Sequence, residues 1–152
     1  MSVFNRILIA VSDDDLSRPA LNLAIDLASD QHAQLRLVHV GELVQPQASS
    51  ASELADIESA LREEGDALLR QLVEHAASRG VQAESARLKT ASVQDSVADA
   101  IAAEAADWGA DLVVSGTHAR KGIVRWLAGS VSESLARAST VPVLIVRDSD
   151  AS

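Results

Sequence analysis

Strand-like and helix-like segments alternate along this chain without a break, and that alternation limits the fold more than any other feature. RILIAV (6–11) is a short continuous apolar run, as expected of a strand covered on both faces. After a polar turn, SRPALNLAIDLA has Ser17 as N-cap and Pro19 in the first helical turn, with Ala20, Leu23, Ala24, Leu27 and Ala28 on one face. QLRLVHV (34–40) reads as a second strand. Ser50 and Glu53 have capping-box spacing before a long helix. Its stripe is Leu54, Ile57, Leu61, Leu68, Leu72 and Ala76, and Gly80 marks its stop. VQAESARLK (81–89) alternates weakly as a third strand. Ser92 opens a helix through Trp108, with Val93, Val97, Ala100, Ile101 and Ala105 inward and Gly109 closing it. ADLVVSG (110–116) and VPVLIVR (141–147) are the fourth and fifth strands. The order predicts an α/β, doubly wound fold: a parallel five-stranded sheet with helices on both faces and right-handed crossovers. With no repeat and no dividing linker, residues 1–152 are expected to form a single domain.

Composition narrows the function classes. A 47% apolar and 23% charged chain has the balance of a soluble globular domain. No apolar run approaches the roughly 18 residues of a membrane span. The opening MSVFNRILIAVSDDD lacks the pattern of a signal peptide. No cysteine is present, so disulfides, thiolate metal sites and cysteine nucleophiles are excluded. These features point to the cytoplasm and away from membranes. A formal charge of −9 repels nucleic-acid phosphates, and Phe4, Trp108 and Trp126 are too scattered for a base-stacking platform. A small anionic ligand needs only a local positive pocket and stays open.

In doubly wound sheets ligands sit beyond the carboxyl ends of the strands, where the winding reverses. That edge carries Ser12–Asp15, Gly41–Glu42, Thr90–Ser92 and Gly116–Ala119. The stretch GTHARKGIVRWLAGS, 116–130, leaves a strand there and ends where the helix SVSESLARA can begin. Together, ILIAV with its acidic, serine-containing turn, LVHV, ADLVVSGTHARKG, WLAGSVSESLARAST and VPVLIV make the chain resemble the universal stress protein family along nearly its whole length. In family members that bind ATP the loop reads Gly, two residues, Gly, nine residues, Gly, then Ser or Thr. Gly116, Gly129 and Ser130 match that pattern, and Ala119 stands at its second glycine. The resemblance implies strand order 3-2-1-4-5 and a cytoplasmic homodimer that binds ATP or ADP, with or without Mg²⁺, as a signal. It places Ala10, Val11, Ser12 and Val40 on the adenine and ribose side. Gly116, Thr117, His118, Ala119, Gly129, Ser130, Val131 and Ser132 fall on the ribose and phosphate side.

Elementary chemistry agrees with that assignment. Gly116 lets the backbone approach a ligand, and a helix starting at Gly129–Ser130 offers free N–H groups to an anion. Arg120 or Lys121 can supply charge. Three departures weaken binding. If position 119 requires positive φ, alanine there costs about 1 kcal/mol, less than tenfold in affinity. Ser12 replaces the aspartate that commonly contacts the nucleoside in ATP-binding relatives, and Thr90 stands where the third-strand turn often has glycine. A dimeric interaction protein of the same fold without nucleotide is the alternative they favour; in either case the protein partner is one the sequence does not identify.

Asp13, Asp14 and Asp15 read first as an acidic helix entrance and second as oxygen ligands for Mg²⁺ near phosphates. A third reading, the acidic pair of a response-regulator receiver domain, fails because it needs a phosphoacceptor aspartate ending the third strand and a lysine ending the fifth, and those ends read ARLKT and VLIVRD. Among the histidines, His39 reads as a satisfied core residue and His32 and His75 as polar helix positions; only His118 lies at the ligand edge. Trp108 and Trp126 read as packing residues rather than an adenine stack. With no catalytic residue or metal ligand assigned, slow ATP hydrolysis is the most that enzymatic activity would amount to. The fifth strand is an edge in the 3-2-1-4-5 order, so its apolar faces and unpaired backbone imply pairing with a second copy.

Overall fold

The computed structural model describes residues 2–11, 18–41, 50–89, 97–116 and 132–147. Its elements are β1 (Arg6–Ala10), α1 (Arg18–Gln31), β2 (Gln34–Gly41), α2 (Ala51–Ser78), β3 (Ala83–Lys89), α3 (Val97–Trp108), β4 (Leu112–Gly116) and β5 (Val143–Val146). Residues 132–138 are also helical and are designated α4. All four strand pairings are parallel, and the order is β3-β2-β1-β4-β5, as the resemblance implied.

The two sheet faces build two apolar layers. Ile7, Ile9 and Val11 alternate with Leu8 on β1 and its exit, and Leu35 and Leu37 alternate with Val38 on β2. The first set packs with Leu112 and Val114 under Ala20, Leu21, Ala24, Ile25 and Ala28 of α1 and Leu69, Leu72 and Ala76 of α2. Leu8, Val38 and Val113 pack with Ala98, Ile101 and Ala105 of α3 and Leu135 of α4. Right-handed crossovers explain the division. The chain winds one way from β1 to β3, putting α1 and α2 on one face, and returns the other way through α3 and α4.

Local signals set the helix ends. The Ser50 side chain accepts from the Glu53 N–H at 3.1 Å, so the expected cap is present. Gly80 and Gly109 close α2 and α3 with φ of +85° and +82°, a conformation that favours glycine. Two expected stripes need correction. On α1, Leu21 and Ile25 are buried, whereas Leu23 is 38% exposed and Leu27 is half-buried. On α2, Leu69 and Gly65 are buried while Leu61 is 42% exposed and Leu54 and Ile57 are half-buried. Length explains the second. At about 1.5 Å per residue α2 is roughly 42 Å long, and a strand of seven or eight residues spans only about 25 Å. The carboxyl-terminal half of α2 therefore lies on the sheet, and its first turns pass beyond the strand ends.

The amino ends of the strands are tied by polar groups. Asp111 accepts from the Asn5 and Arg6 N–H groups at 2.8 and 3.1 Å, while its own N–H donates to the Arg6 carbonyl at 2.9 Å. This joins the entry of β1 to the entry of β4, residues far apart in sequence. Hydrogen bonds to a charged acceptor are stronger than neutral ones, so Asp111→Ala is expected to lower unfolding stability by about 1–2 kcal/mol. Amide exchange at Asn5 and Arg6 should accelerate in the same variant. Unchanged exchange at both would show that the carboxylate does not hold them.

Candidate functional site

β1, at the middle of the sheet, stops earlier than its neighbours at the carboxyl edge. Its last residue, Ala10, lies opposite Val38, yet β2 continues to Gly41. On the other side Ile9 lies opposite Val114, and β4 continues to Gly116. Among the described strand ends this leaves a notch in the ladder, β1 ending short of β2 and β4. The crossover direction reverses between β1 and β4, so the notch sits where a doubly wound sheet takes its ligand.

Five of the sequence-assigned site residues are described, and four line this edge directly. Ala10 and Val40 are half-buried on the α3 side, Val11 is buried on the α1 and α2 side, and Gly116 ends β4 beside Val146 of β5. The fifth, Ser132, opens the described part of α4, which belongs to the crossover from β4 back to β5. It is only 4% exposed, and its Oγ has no hydrogen-bond partner. Ser12, Thr117, His118, Ala119, Arg120, Gly129, Ser130 and Val131 lie outside the described residues, as do Asp13, Asp14, Asp15, Ser17, Thr90, Ser92, Val93, Lys121 and Trp126.

The opposite end of the sheet is chemically closed. Arg6 and Arg36 place their guanidinium carbons 5.5 and 5.7 Å from the centre of the Trp108 ring. The Trp108 indole N–H donates to Glu84 at 2.9 Å, and its carbonyl accepts from Arg6 at 2.6 Å. Arg36 pairs with Glu104 at 2.7 Å and Glu84 at 3.3 Å. Trp108 is thus a packing residue at the amino edge, as expected, and cannot serve a ligand at the carboxyl edge. His75 lies in the last turn of α2, half-buried, with Nε2 2.9 Å from Asn22 Oδ1. His32 ends α1 at φ +54°. Among the described residues no group of three or more His, Asp or Glu is placed to hold a metal. No helix among them is long and apolar enough to cross a membrane.

The family model for universal stress proteins matches residues 4–147, a span that includes every strand described above. The chain belongs to the universal stress protein family. It is 34% identical over 153 aligned residues to the universal stress protein YxiE of Bacillus subtilis, covering 95% of this chain and all of that one. A universal stress protein structure from Burkholderia pseudomallei superposes with a TM-score of 0.75 at 32% identity, covering 96% of this chain and 98% of that one. Another universal stress protein, solved in complex with cAMP, gives a TM-score of 0.70 at 25% identity, covering 95% and 98%.

Sequence reasoning missed two residues of this universal stress protein that bear on the edge. Gly65 lies mid-helix in α2, and a Cβ there would meet the His39 ring and the Arg87 side chain at 3.2 Å. The signal was available: an interior helical glycine costs about 1 kcal/mol against alanine and often marks a close approach. His39 reads in sequence as a satisfied core residue, and the structure supplies the partner that sequence could not name, the Val11 carbonyl 3.1 Å from its Nδ1.

A buried hydroxyl without a partner is destabilising in the ligand-free protein. Ser132→Ala is therefore expected to raise unfolding stability by about 1 kcal/mol, read as a higher denaturation midpoint. A lower midpoint would mean that the hydroxyl has a partner in the free protein.

Proposed function

We propose that this universal stress protein binds an adenine nucleotide, ATP or ADP with or without Mg²⁺, at the carboxyl edge of its sheet. It uses the nucleotide as a signal rather than turning it over. The observation that carries this reading is the buried, unpartnered Ser132 hydroxyl, in the crossover that the family pattern assigns to ribose and phosphate. A phosphate or ribose oxygen is the partner such a hydroxyl lacks. The notch above β1 supports the reading, since Ala10 and Val40 give it an apolar wall suited to a base. The relative solved with cAMP supports an adenine nucleotide as the ligand class. In this reading Ala10, Val11, Ser12 and Val40 serve the base and ribose. Gly116, Thr117, His118, Ala119, Arg120, Gly129, Ser130, Val131 and Ser132 serve the ribose and phosphates. The protein acts in the cytoplasm as a single-domain homodimer.

Titration calorimetry with millimolar ATP and Mg²⁺ is expected to give binding heat that Gly129→Trp removes. Ala119→Gly is expected to tighten binding, and Ser132→Ala to weaken it although the same change stabilises the free protein. Absence of heat with the wild type would overturn the nucleotide reading in favour of an interaction protein of the same fold.

The difference between the two sheet edges supports the homodimer reading. β3 carries Glu84, Arg87 and Lys89, charged residues of the kind that discourage edge pairing. β5 is VLIV, with no charge within the strand. Val143 and Leu144 pack partly into opposite layers, and Ile145 is 39% exposed. Antiparallel pairing of two β5 strands about a two-fold axis would satisfy both backbone edges and cover these side chains. Light scattering after size exclusion is expected to give the dimer mass at micromolar concentration. Val143→Pro, which removes the first backbone donor of β5, should shift it to monomer more than Arg147→Ala. A folded, dimeric Val143→Pro would place the interface elsewhere.

A further inference from the structure

We propose that His39 is a positioning residue for the ligand edge: its Nδ1–H group holds the Val11 carbonyl and so fixes where the chain leaves β1. The consequence for affinity rests on the nucleotide reading above; the geometry does not.

β2 sends Leu35 and Leu37 into the α1 and α2 layer, and His39 is the next residue on that face. A third leucine would continue the pattern. The imidazole instead reaches across to the neighbouring strand, with Nδ1 3.1 Å from the Val11 carbonyl oxygen. A carbonyl carries no proton, so the nitrogen facing it must be the donor. Val11 is also held by its own amide, which donates to the Val38 carbonyl at 2.8 Å. The residue just past the end of β1 is thus tied to β2 twice, once by backbone and once by a side chain. These are the last described bonds at the exit of β1.

The ring is itself held in place. Gly65 brings the α2 backbone so close that a Cβ would lie 3.2 Å from His39 Cδ2 and 3.7 Å from Nε2. The Arg87 side chain lies against the same glycine position, and its Nε donates to Asp66 of α2 at 3.1 Å. With α2 on one side and the β1 exit on the other, the imidazole has one orientation that keeps the Val11 bond. A glycine within α2, a histidine on β2 and the exit of β1 therefore act in series on one edge of the notch.

The test compares wild type with His39→Asn, His39→Leu and His39→Gln. Asparagine carries its amide nitrogen at the same number of bonds from Cα as Nδ1; glutamine places it one bond further. In the wild type, two-bond proton–nitrogen correlation spectra of the imidazole should show the proton on Nδ1. His39→Leu should speed amide exchange at Val11 and weaken binding of ATP with Mg²⁺ by about tenfold, the worth of one hydrogen bond. His39→Asn should restore most of both, and His39→Gln neither. An Nδ1 without a proton, or a His39→Leu protein with wild-type Val11 exchange, would overturn the proposal. So would normal Val11 exchange in His39→Gln. If the wild type binds no ATP, the nucleotide reading falls and the Nδ1 proton and the Val11 exchange decide the role of His39 alone.

Discussion

Covering both faces of β1 is the requirement on which the rest of this structure depends. Ile7, Leu8 and Ile9 are consecutive and wholly buried, so neither face of the strand can meet water. Burying each such side chain contributes roughly 1.5–3 kcal/mol, which no single-layered arrangement would collect from all three. Parallel neighbours on either side satisfy the β1 backbone, and parallel pairing demands crossovers. Those crossovers become α1 and α2 on one face and α3 and α4 on the other. Once both faces and both lateral edges of β1 are occupied, only its two ends stay open.

The two ends are treated in opposite ways. At the amino end, Asp111, Arg6, Trp108, Arg36, Glu84 and Glu104 consume one another's hydrogen-bonding capacity. That end is a polar fastening, with Arg36 Nε the one buried atom of the group left unpaired. At the carboxyl end, β1 falls short of β2 and β4, and Ser132 keeps a buried hydroxyl unpaired.

The fold was legible because its strongest signals are local. Apolar runs gave the strands, Ser50 the cap of α2, and Gly80 and Gly109 the helix ends. Helix faces were less legible. Leu23 and Leu61 have the right spacing yet stand exposed, because burial depends on where a helix crosses the sheet and how far it overruns it. Strand order is not written in periodicity at all and came from resemblance to the universal stress proteins. For the site, family resemblance marked Ala10, Val11, Val40, Gly116 and Ser132; the first four lie at the carboxyl ends of their strands and Ser132 lies buried in α4. Sequence did not mark His39, because a histidine in an apolar strand looks the same whether its ring is merely sheltered or holds a neighbouring carbonyl. Gly65 carried a signal in its poor helix propensity, but its partners lie on two other elements and appear only in three dimensions.

The unequal edges of the sheet set a limit on growth. A sheet with two bare edges is bivalent, and each added copy exposes a fresh edge, so association runs on into a fibre. Here one edge carries Glu84, Arg87 and Lys89 and the other the uncharged VLIV of β5. In the proposed dimer such a molecule would be monovalent with respect to strand pairing. Joining two β5 strands would then use up the pairing capacity of both copies and leave a pair of charged β3 edges facing outward. Chain termination would be built into the monomer, and a protein with an uncharged apolar edge strand could accumulate to high concentration without polymerising.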